Sequence, residues 1–450
     1  MSCAVTRVLA LDVGTSSVRA RVFDESAEEG EPARREYSGV DDPDRILAFV
    51  REAIEEANPN DVDAAGTSCF GHSLIALDPS GRPLTPVLGW RDTRSADAAD
   101  RLARRVDVDA VHARTGAHIH TSYWPAKLAW LAQEHPDVFR STARFVSFAE
   151  YLYAQLLDDR DVPISISVAS ATGLLDLRTL DWDEELLATL GLERRLLPRV
   201  ADEPVGTWFL ARHDGACANV GAGCSTRERA ALTIGTSAAF RTVYETDTPT
   251  PRAGLFLYRV DERRVVEGGS FSDGGNVYRW LGDTLAKADG SLAGRDPDSH
   301  GLTFVTLLGG ERSPGWHQHA KGVIHGLTFA TTPLDIRQAA LEGVAFRVAD
   351  VAALMPEVEE IVATGGALQK DEEWCQIVAD ALDRPITVSG VKEASLRGAA
   401  VLALERLGED APAPPLGRTY GPRPDHAAAY LAARERQREL YRVATGEETS

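Results

Sequence analysis

A short pattern that occurs twice, about half the chain length apart, constrains this sequence more than any other feature. The first copy, from Ala10 to Arg19, reads Ala-Leu-Asp-Val-Gly-Thr-Ser-Ser-Val-Arg; the second, from Ala231 to Arg241, reads Ala-Leu-Thr-Ile-Gly-Thr-Ser-Ala-Ala-Phe-Arg. In each copy an apolar run precedes a glycine turn and a second strand-like run follows it, which is typical of a β-hairpin. Gly-Thr-Ser alone recurs by chance, but the shared flanking pattern favours a duplication. The repeat therefore predicts two domains of one plan that face each other across a cleft.

The rest of the chain alternates between strand-like and helical segments. Residues 64–69 and 360–363 are short apolar runs, and residues 336–354 carry an apolar stripe at helical spacing. Interleaved strands and helices indicate an α/β fold. We predict an N-terminal domain over residues 1–225, a C-terminal domain over residues 226–410, and a proline-rich tether with a terminal helix over residues 411–450.

Composition excludes several classes of function. The 450 residues carry a formal net charge of −20 and a pI near 5.0, so nucleic acid and anionic membranes would be repelled. No apolar run approaches the roughly 18 residues that would cross a bilayer, and the amino end does not resemble a secretory signal. The five cysteines are scattered without a Cys-x-x-Cys pair, which favours reduced thiols. We expect a cytoplasmic protein without a nucleic-acid or membrane partner.

The two glycine turns are candidates for binding phosphate. Backbone amides and hydroxyls at Gly14, Thr15 and Ser16 can cradle phosphate oxygens, because glycine lets the backbone approach an anion closely. Asp12 precedes the first turn and can hold Mg²⁺, whereas Thr233 stands at the matching position of the second turn. This asymmetry suits one metal on one side of a nucleotide. No Walker-type Gly-x-x-x-x-Gly-Lys-Ser/Thr string is present.

A third glycine turn lies between a predicted strand and a predicted helix. It contains Gly365 and Gly366 and offers a surface without side chains that can lie flat against an adenine or a ribose ring. The alternative is that these glycines only allow tight packing. Taken alone, the turn favours the packing interpretation.

Several of these motifs, taken together and in order, resemble the FGGY-type carbohydrate kinases, which include glycerol kinase, xylulokinase and gluconate kinases. The resemblance extends from about residue 7 to residue 408, and its most specific part is the run from Gly322 to Glu342. It implies two ribonuclease-H-like domains of the actin type, with ATP, Mg²⁺ and a small sugar between them. It also implies transfer of the γ-phosphoryl group of ATP to a sugar hydroxyl. The matching segments are residues 12–15, 90–94, 127–131, 214–218, 233–236 and 365–367.

The resemblance also implies roles for individual residues. Asp214 matches the catalytic base; small residues that can start a helix follow it, and a helix amino end favours a negative charge. Arg19 resembles the family's γ-phosphate contact. The other nucleotide-side candidates are Gly235, Thr236, Gly310, Gly365, Gly366 and Gln369. The substrate-side candidates are His72, Trp90, Asp92, Arg94 and Tyr123.

Two departures from the family pattern lie beside the predicted base. The segment between Gly206 and Asp214 is short, and His213 occupies a position where the family prefers a small residue. Two alternatives to a sugar kinase therefore stay open: a catalytically weakened homologue that senses sugar or nucleotide, and an ATP-hydrolysing clamp of the same fold. Residues 70–74 and 89–92 resemble gluconate kinases and xylulokinases more than glycerol kinases, and a homodimer is one hypothesis for the assembly.

Overall fold

The computed structural model describes residues 5–27, 30–285 and 290–446, which form an N-terminal and a C-terminal lobe around separate β-sheets. The four cysteines among these residues are buried and unpaired, and Cys3 lies outside the described residues. None of the described helices has the length and apolarity that a bilayer crossing requires.

The N-terminal lobe is built on a five-stranded sheet in which β1 is central. The strands of the whole lobe, in this sheet and in smaller ones, are β1 (Arg7–Val13), β2 (Ser17–Asp24), β3 (Ala33–Glu36), β4 (Ala64–Cys69), β5 (Ile75–Leu77), β6 (Arg144–Val146), β7 (Leu175–Asp176), β8 (Asp181–Trp182) and β9 (Arg212–His213). Its helices are α1 (Pro43–Ala57), α2 (Ala96–Ala103), α3 (Val108–Thr115), α4 (Trp124–Glu134), α5 (Pro136–Ser141), α6 (Phe148–Leu157), α7 (Ile166–Ser170), α8 (Glu184–Leu190) and α9 (Asp214–Gly221).

The main sheet of this lobe has the order β3-β2-β1-β4-β9. Strand β1 is antiparallel to β2 and parallel to β4, and β4 is parallel to β9. The near-continuous apolar run of β1 explains its central place, because helices cover both faces of a strand in this position. The predicted hairpin at Gly14 is confirmed.

The C-terminal lobe repeats this plan with two added strands. Its strands are β10 (Arg229–Ile234), β11 (Ala238–Glu245), β12 (Phe256–Arg259), β13 (Arg264–Phe271), β14 (Thr303–Val305), β15 (Val323–His325), β16 (Glu360–Thr364), β17 (Ile386–Ser389) and β18 (Leu416–Tyr420). Its helices are α10 (Gly275–Thr284), α11 (Pro333–Ala353), α12 (Gly366–Lys370), α13 (Glu372–Leu382), α14 (Ala394–Leu407) and α15 (Pro424–Thr445).

The sheet order of the C-terminal lobe, β12-β13-β11-β10-β16-β17-β18, contains the N-terminal order within it. Strands β13-β11-β10-β16-β17 correspond to β3-β2-β1-β4-β9, with the same pattern of parallel and antiparallel neighbours. The duplicated α/β plan predicted from the repeated hairpin is therefore confirmed. The added strand β18 lies in the segment that was predicted as a tether, and α15 follows it as the predicted terminal helix.

Glycines bring two helices into backbone contact where the lobes meet. A Cβ atom on Gly221 of α9 would lie 1.8 Å from the carbonyl oxygen of Ala394, and one on Gly398 of α14 would lie 1.8 Å from that of Cys217. Neither site has room for a side chain. Because α9 begins at Asp214, this close packing fixes the position of the predicted base relative to both lobes.

Candidate active site

A cavity of about 300 Å³ lies between the two glycine hairpins, at the carboxyl ends of β1 and β10. Ligands bind at this edge in open α/β sheets. The first hairpin and α9 form one wall, and the second hairpin forms the opposite wall. The predicted residues that line it are Asp12, Gly14, Thr15, Ser16, Arg19, His72, Trp90, Asp214, Gly235 and Thr236.

On the first hairpin, Asp12 is a buried carboxylate with two partners. The Ser68 hydroxyl donates to Oδ1 at 2.9 Å, and the Arg19 guanidinium donates to Oδ2 at 3.0 Å. Arg19 also forms an ion pair with Glu393 from the C-terminal lobe at 2.7 Å. Burial raises the pKa of Asp12 to about 6, although Arg19 opposes this effect. A carboxylate this buried gains stability from a further cation.

Asp12 is also the residue that fits Mg²⁺. Magnesium sites in phosphoryl-transfer proteins use one or two carboxylates, with phosphate and water oxygens completing the coordination. The donor set here, one carboxylate beside a phosphate-binding hairpin, matches that chemistry.

The second hairpin presents backbone groups and a buried arginine. Its turn is braced from α10, because the Asn276 amide donates to the Thr236 carbonyl at 2.9 Å. Arg241 of β11 reaches back beneath the turn, where its guanidinium lies 3.4 Å from the Thr233 hydroxyl. Its Nε has no hydrogen-bond partner, and no carboxylate of a described residue forms an ion pair with it. This wall of the cavity therefore carries a positive charge that no ion pair neutralises, although the Asp214 carboxylate acts on it at longer range.

Asp214 is the first residue of α9, and 41 % of its side chain is exposed, facing the cavity. Its Oδ1 accepts a hydrogen bond from the Gly215 amide at 2.8 Å and lies 3.2 Å from Nε2 of His213. The positive end of the helix macrodipole favours a carboxylate here. With the short segment before it and a histidine at position 213, Asp214 is thus still directed into the crevice between the lobes.

His72 lies across the cavity in a left-handed backbone conformation, with φ of 64°. Such strain in a non-glycine residue persists where the surrounding structure enforces it, often at functional sites. Its Nδ1 lies 2.5 Å from the Ala171 carbonyl and must donate to it, so Nε2 is an acceptor that faces the cavity. Burial lowers the pKa of His72 well below its ordinary value, and nearby Arg312 adds to this effect. His72 is therefore neutral.

Arg312 is a second buried arginine at this cavity, and neither it nor Arg241 was predicted from the sequence as a site residue. It comes from the C-terminal lobe, lies 3.5 Å from Nε2 of His72 and stacks 5.2 Å from the centroid of the Trp90 ring. It is 7 % exposed, its Nε has no hydrogen-bond partner, and no described carboxylate forms an ion pair with it. The sequence contains a signal for each of them. Arg241 ends its hairpin as Arg19 does, and Arg312 lies two positions after Gly310.

Three predicted substrate residues lie outside this cavity. Tyr123 is fully buried behind His72, with ring centroids 5.0 Å apart, and its hydroxyl contacts that of Tyr258. Asp92 and Arg94 form an ion pair with each other at 2.5 Å. Both line a neighbouring cavity of about 370 Å³ that Trp90 separates from the first. Their roles stay predictions.

The remaining nucleotide-side residues lie at the periphery. Gly310 lines a third cavity of about 550 Å³, which opens beside Trp90 and Ser122. Gly365, the residue before α12, has φ of 87°, and a Cβ there would lie 2.5 Å from the Ile234 carbonyl, so this turn packs tightly on β10. Next to it, Gly366 has open space around it, and Gln369 donates to the Val391 carbonyl at 2.7 Å. Their contact with adenosine stays a prediction.

Comparison with known proteins agrees with this architecture. The family model for the N-terminal domain of FGGY carbohydrate kinases matches residues 7–207, and the model for the C-terminal domain matches residues 230–405. The chain belongs to the FGGY family of carbohydrate kinases. It is 29 % identical to the gluconokinase of Bacillus subtilis (strain 168), over 92 % of this chain and 91 % of that protein.

Two solved structures share the whole fold. The gluconate kinase from Lactobacillus acidophilus superposes with a TM-score of 0.87 at 26 % identity and covers 99 % of both chains. The ligand-bound xylulose kinase from the same organism gives a TM-score of 0.87 at 27 % identity, covering 98 % of this chain and 99 % of the other. The protein is thus an ATP-dependent phosphotransferase whose acceptor is a hydroxyl of a small sugar, polyol or sugar acid. The two-lobed actin-type fold predicted from the sequence is confirmed.

Proposed function

We propose that this kinase phosphorylates a sugar acid of the gluconate type, with Asp214 as the general base. The observation that carries the proposal is Arg312, a buried guanidinium that faces His72 and Trp90 without a carboxylate partner. Leaving a buried charge uncompensated costs several kcal/mol, by the general estimate for such groups. A carboxylate on the substrate removes that cost, whereas a neutral polyol does not.

The other walls of the cavity suit the rest of such a substrate. Nε2 of the neutral His72 helps to hold Arg312 at the cavity, and the Trp90 face covers the carbon chain. Among the relatives, the gluconokinase of Bacillus subtilis and the gluconate kinase of Lactobacillus acidophilus support this choice. The similarity to a xylulose kinase makes a pentulose the second candidate.

The residues of this chain then act on the phosphoryl group from both sides. Asp214 accepts the proton of the attacking hydroxyl through Oδ2, since Oδ1 already accepts from the Gly215 amide and lies 3.2 Å from Nε2 of His213. The backbone of the Gly235 turn and the Arg241 guanidinium stabilise the charge on the transferred group. Asp12 would hold the Mg²⁺ that accompanies ATP, whose contribution is to neutralise phosphate charge. Closure of the lobes excludes water as a competing acceptor.

A substrate panel tests the proposal. The protein is mixed with ATP and Mg²⁺ and with gluconate, glucitol, xylulose or glycerol, and ADP is measured by a coupled assay. We expect the highest kcat/KM with gluconate, and loss of turnover in Asp214→Asn with ATP binding retained. Turnover on glucitol equal to that on gluconate would contradict the choice of a sugar acid. Full activity of Asp214→Asn would contradict the base. The cytoplasmic location and the homodimer stay predictions.

A further inference from the structure

His213 is a buried residue at the position immediately before the proposed base. Its side chain is 6 % exposed, and Nε2 lies 3.2 Å from Oδ1 of Asp214. Its backbone amide is held by the Ser167 hydroxyl at 3.0 Å. The mechanism described above does not use this imidazole.

The protonation of the ring follows from its partners. An ionised carboxylate can only accept, so the contact with Asp214 requires a proton on Nε2 of His213. In the neutral ring Nδ1 then carries no proton, which agrees with its having no hydrogen-bond partner. His213 therefore presents a protonated ring nitrogen to one oxygen of the base, at a distance of 3.2 Å.

The surroundings make room for the ring in this one place. A Cβ on Gly71 would lie 2.3 Å from Cδ2 and 2.6 Å from Nε2 of His213, and a Cβ on Gly215 would lie 2.7 Å from its Cε1. Glycines on both sides thus clear the space that the imidazole fills. The rings of His72 and Tyr258 lie 5.5 Å from it on further sides. The ring is held by packing, as a positioning residue must be.

We propose that His213 positions Asp214, through the 3.2 Å contact of its Nε2 with Oδ1, so that Oδ2 stays directed at the substrate hydroxyl. This inference rests on the proposed role of Asp214 as the base. It goes beyond that role, because it assigns a function to a residue at which this chain departs from the pattern of its family.

The charges around the ring keep it a neutral donor in the working range of pH. Burial lowers the pKa of His213 to about 4; the Asp214 carboxylate opposes the shift, and the Arg241 and Arg312 guanidinium groups add to it. His72 and Tyr258, which face the ring, are uncharged, since burial lowers the pKa of the first and raises that of the second. The Nε2 hydrogen is thus available throughout neutral pH.

Variants at three positions test the inference, with kcat and both KM values measured for each. In His213→Leu we expect kcat to fall about 10- to 100-fold, because a misdirected carboxylate loses its near-attack geometry. We expect both KM values to change less than about threefold, since a misdirected base leaves ground-state binding intact. His213→Gln, which can place an amide hydrogen near Nε2, should restore most of kcat.

Two further variants separate positioning of the base from a general loss of packing. Gly71→Ala displaces the ring without removing it and should reproduce the effect of His213→Leu even if the latter folds poorly. His112→Gln alters another buried histidine, one that contacts the Leu255 carbonyl, and should leave kcat unchanged. A wild-type kcat in folded His213→Leu, or losses confined to KM, would overturn the inference. If Asp214→Asn stays active, it is the proposed base that fails instead.

Discussion

Replacing Arg312 with methionine removes the charge that selects a sugar acid while retaining most of the side-chain volume. The guanidinium is the cationic group that contacts both His72 and Trp90. Methionine keeps apolar contact with the Trp90 ring and has no donor. The change therefore isolates the interaction with a substrate carboxylate from the shape of the cavity.

The size of the effect follows from the partners of the arginine. A hydrogen bond to a charged group contributes about 1.5–3 kcal/mol, which corresponds to about 10- to 100-fold in KM. We expect a loss of this size in kcat/KM for gluconate and a change below about threefold for glucitol, which differs only in its uncharged C1. Because the free protein loses an uncompensated buried charge, its unfolding temperature should not fall.

The assay is coupled ADP release with gluconate and with glucitol, and differential scanning fluorimetry reports on folding. Arg312→Lys is the matched control, since it keeps the charge and loses the planar fork; it should retain more gluconate activity than the methionine variant. Equal losses of kcat/KM on gluconate and glucitol would refute the reasoning, because they would show that Arg312 supports the cavity and not a carboxylate.

Two further predictions concern stability. In Gly398→Ala the new Cβ would lie 1.8 Å from the Cys217 carbonyl, so α9 and α14 must separate. We expect urea unfolding to show an unfolding free energy lower by about 1–3 kcal/mol or more. In the control Gly282→Ala, which lies in open space on α10, the unfolding free energy should stay the same or rise by up to about 1 kcal/mol. Burial raises the pKa of Glu150 to about 7, so this acid stabilises the fold below its unfolded pKa near 4.5 and loses that contribution as pH rises through 7. Glu150→Gln, which keeps the capping contact with Ser147, should match the wild type at pH 5 and exceed its unfolding free energy by up to about 3 kcal/mol at pH 8; equal stability at both pH values would contradict this.

The parts of the fold that sequence could predict are those set by local pattern. The alternation after Gly14 and Gly235 specifies two hairpins, and each copy lies at the centre of its sheet. The strand β18 was not predicted because its pairing depends on β17, a segment distant along the chain. Its sequence, with four exposed positions of five, carries no apolar alternation that would have indicated it.

The candidate site also has a part that the sequence predicts and a part that only the tertiary fold creates. The glycine turns were predicted from the repeated pattern and Arg19 from the family resemblance, whereas Arg312 comes to His72 only because the C-terminal lobe carries it there. Asp92 and Arg94 were predicted as substrate contacts on an extended segment, where residues two apart face the same way. The chain turns at this point, and the two side chains form an ion pair with each other. Which side chains meet across the two lobes depends on the tertiary fold, and the spacing of residues in the sequence does not specify it.

The duplicated hairpins have opposite electrostatic designs, and this difference leads to a last prediction. In the first, Arg19 forms ion pairs with Asp12 and Glu393; in the second, Thr233 stands where Asp12 would be, and Arg241 has no ion-pair partner among the described residues. Thr233→Asp should give Arg241 a carboxylate partner, as Arg19 has in the first hairpin, and should therefore raise the unfolding temperature.

The same change should weaken nucleotide use, because Arg241 would no longer meet the phosphate as a free charge. We expect the KM for ATP to rise at least about tenfold, by the usual strength of a charge-assisted hydrogen bond, while Thr233→Asn, of similar size and without charge, stays within about threefold. An unchanged KM for ATP in Thr233→Asp would show that the second hairpin binds phosphate through its backbone alone. The divergence of the two copies would then lie in Asp12 and not in Arg241.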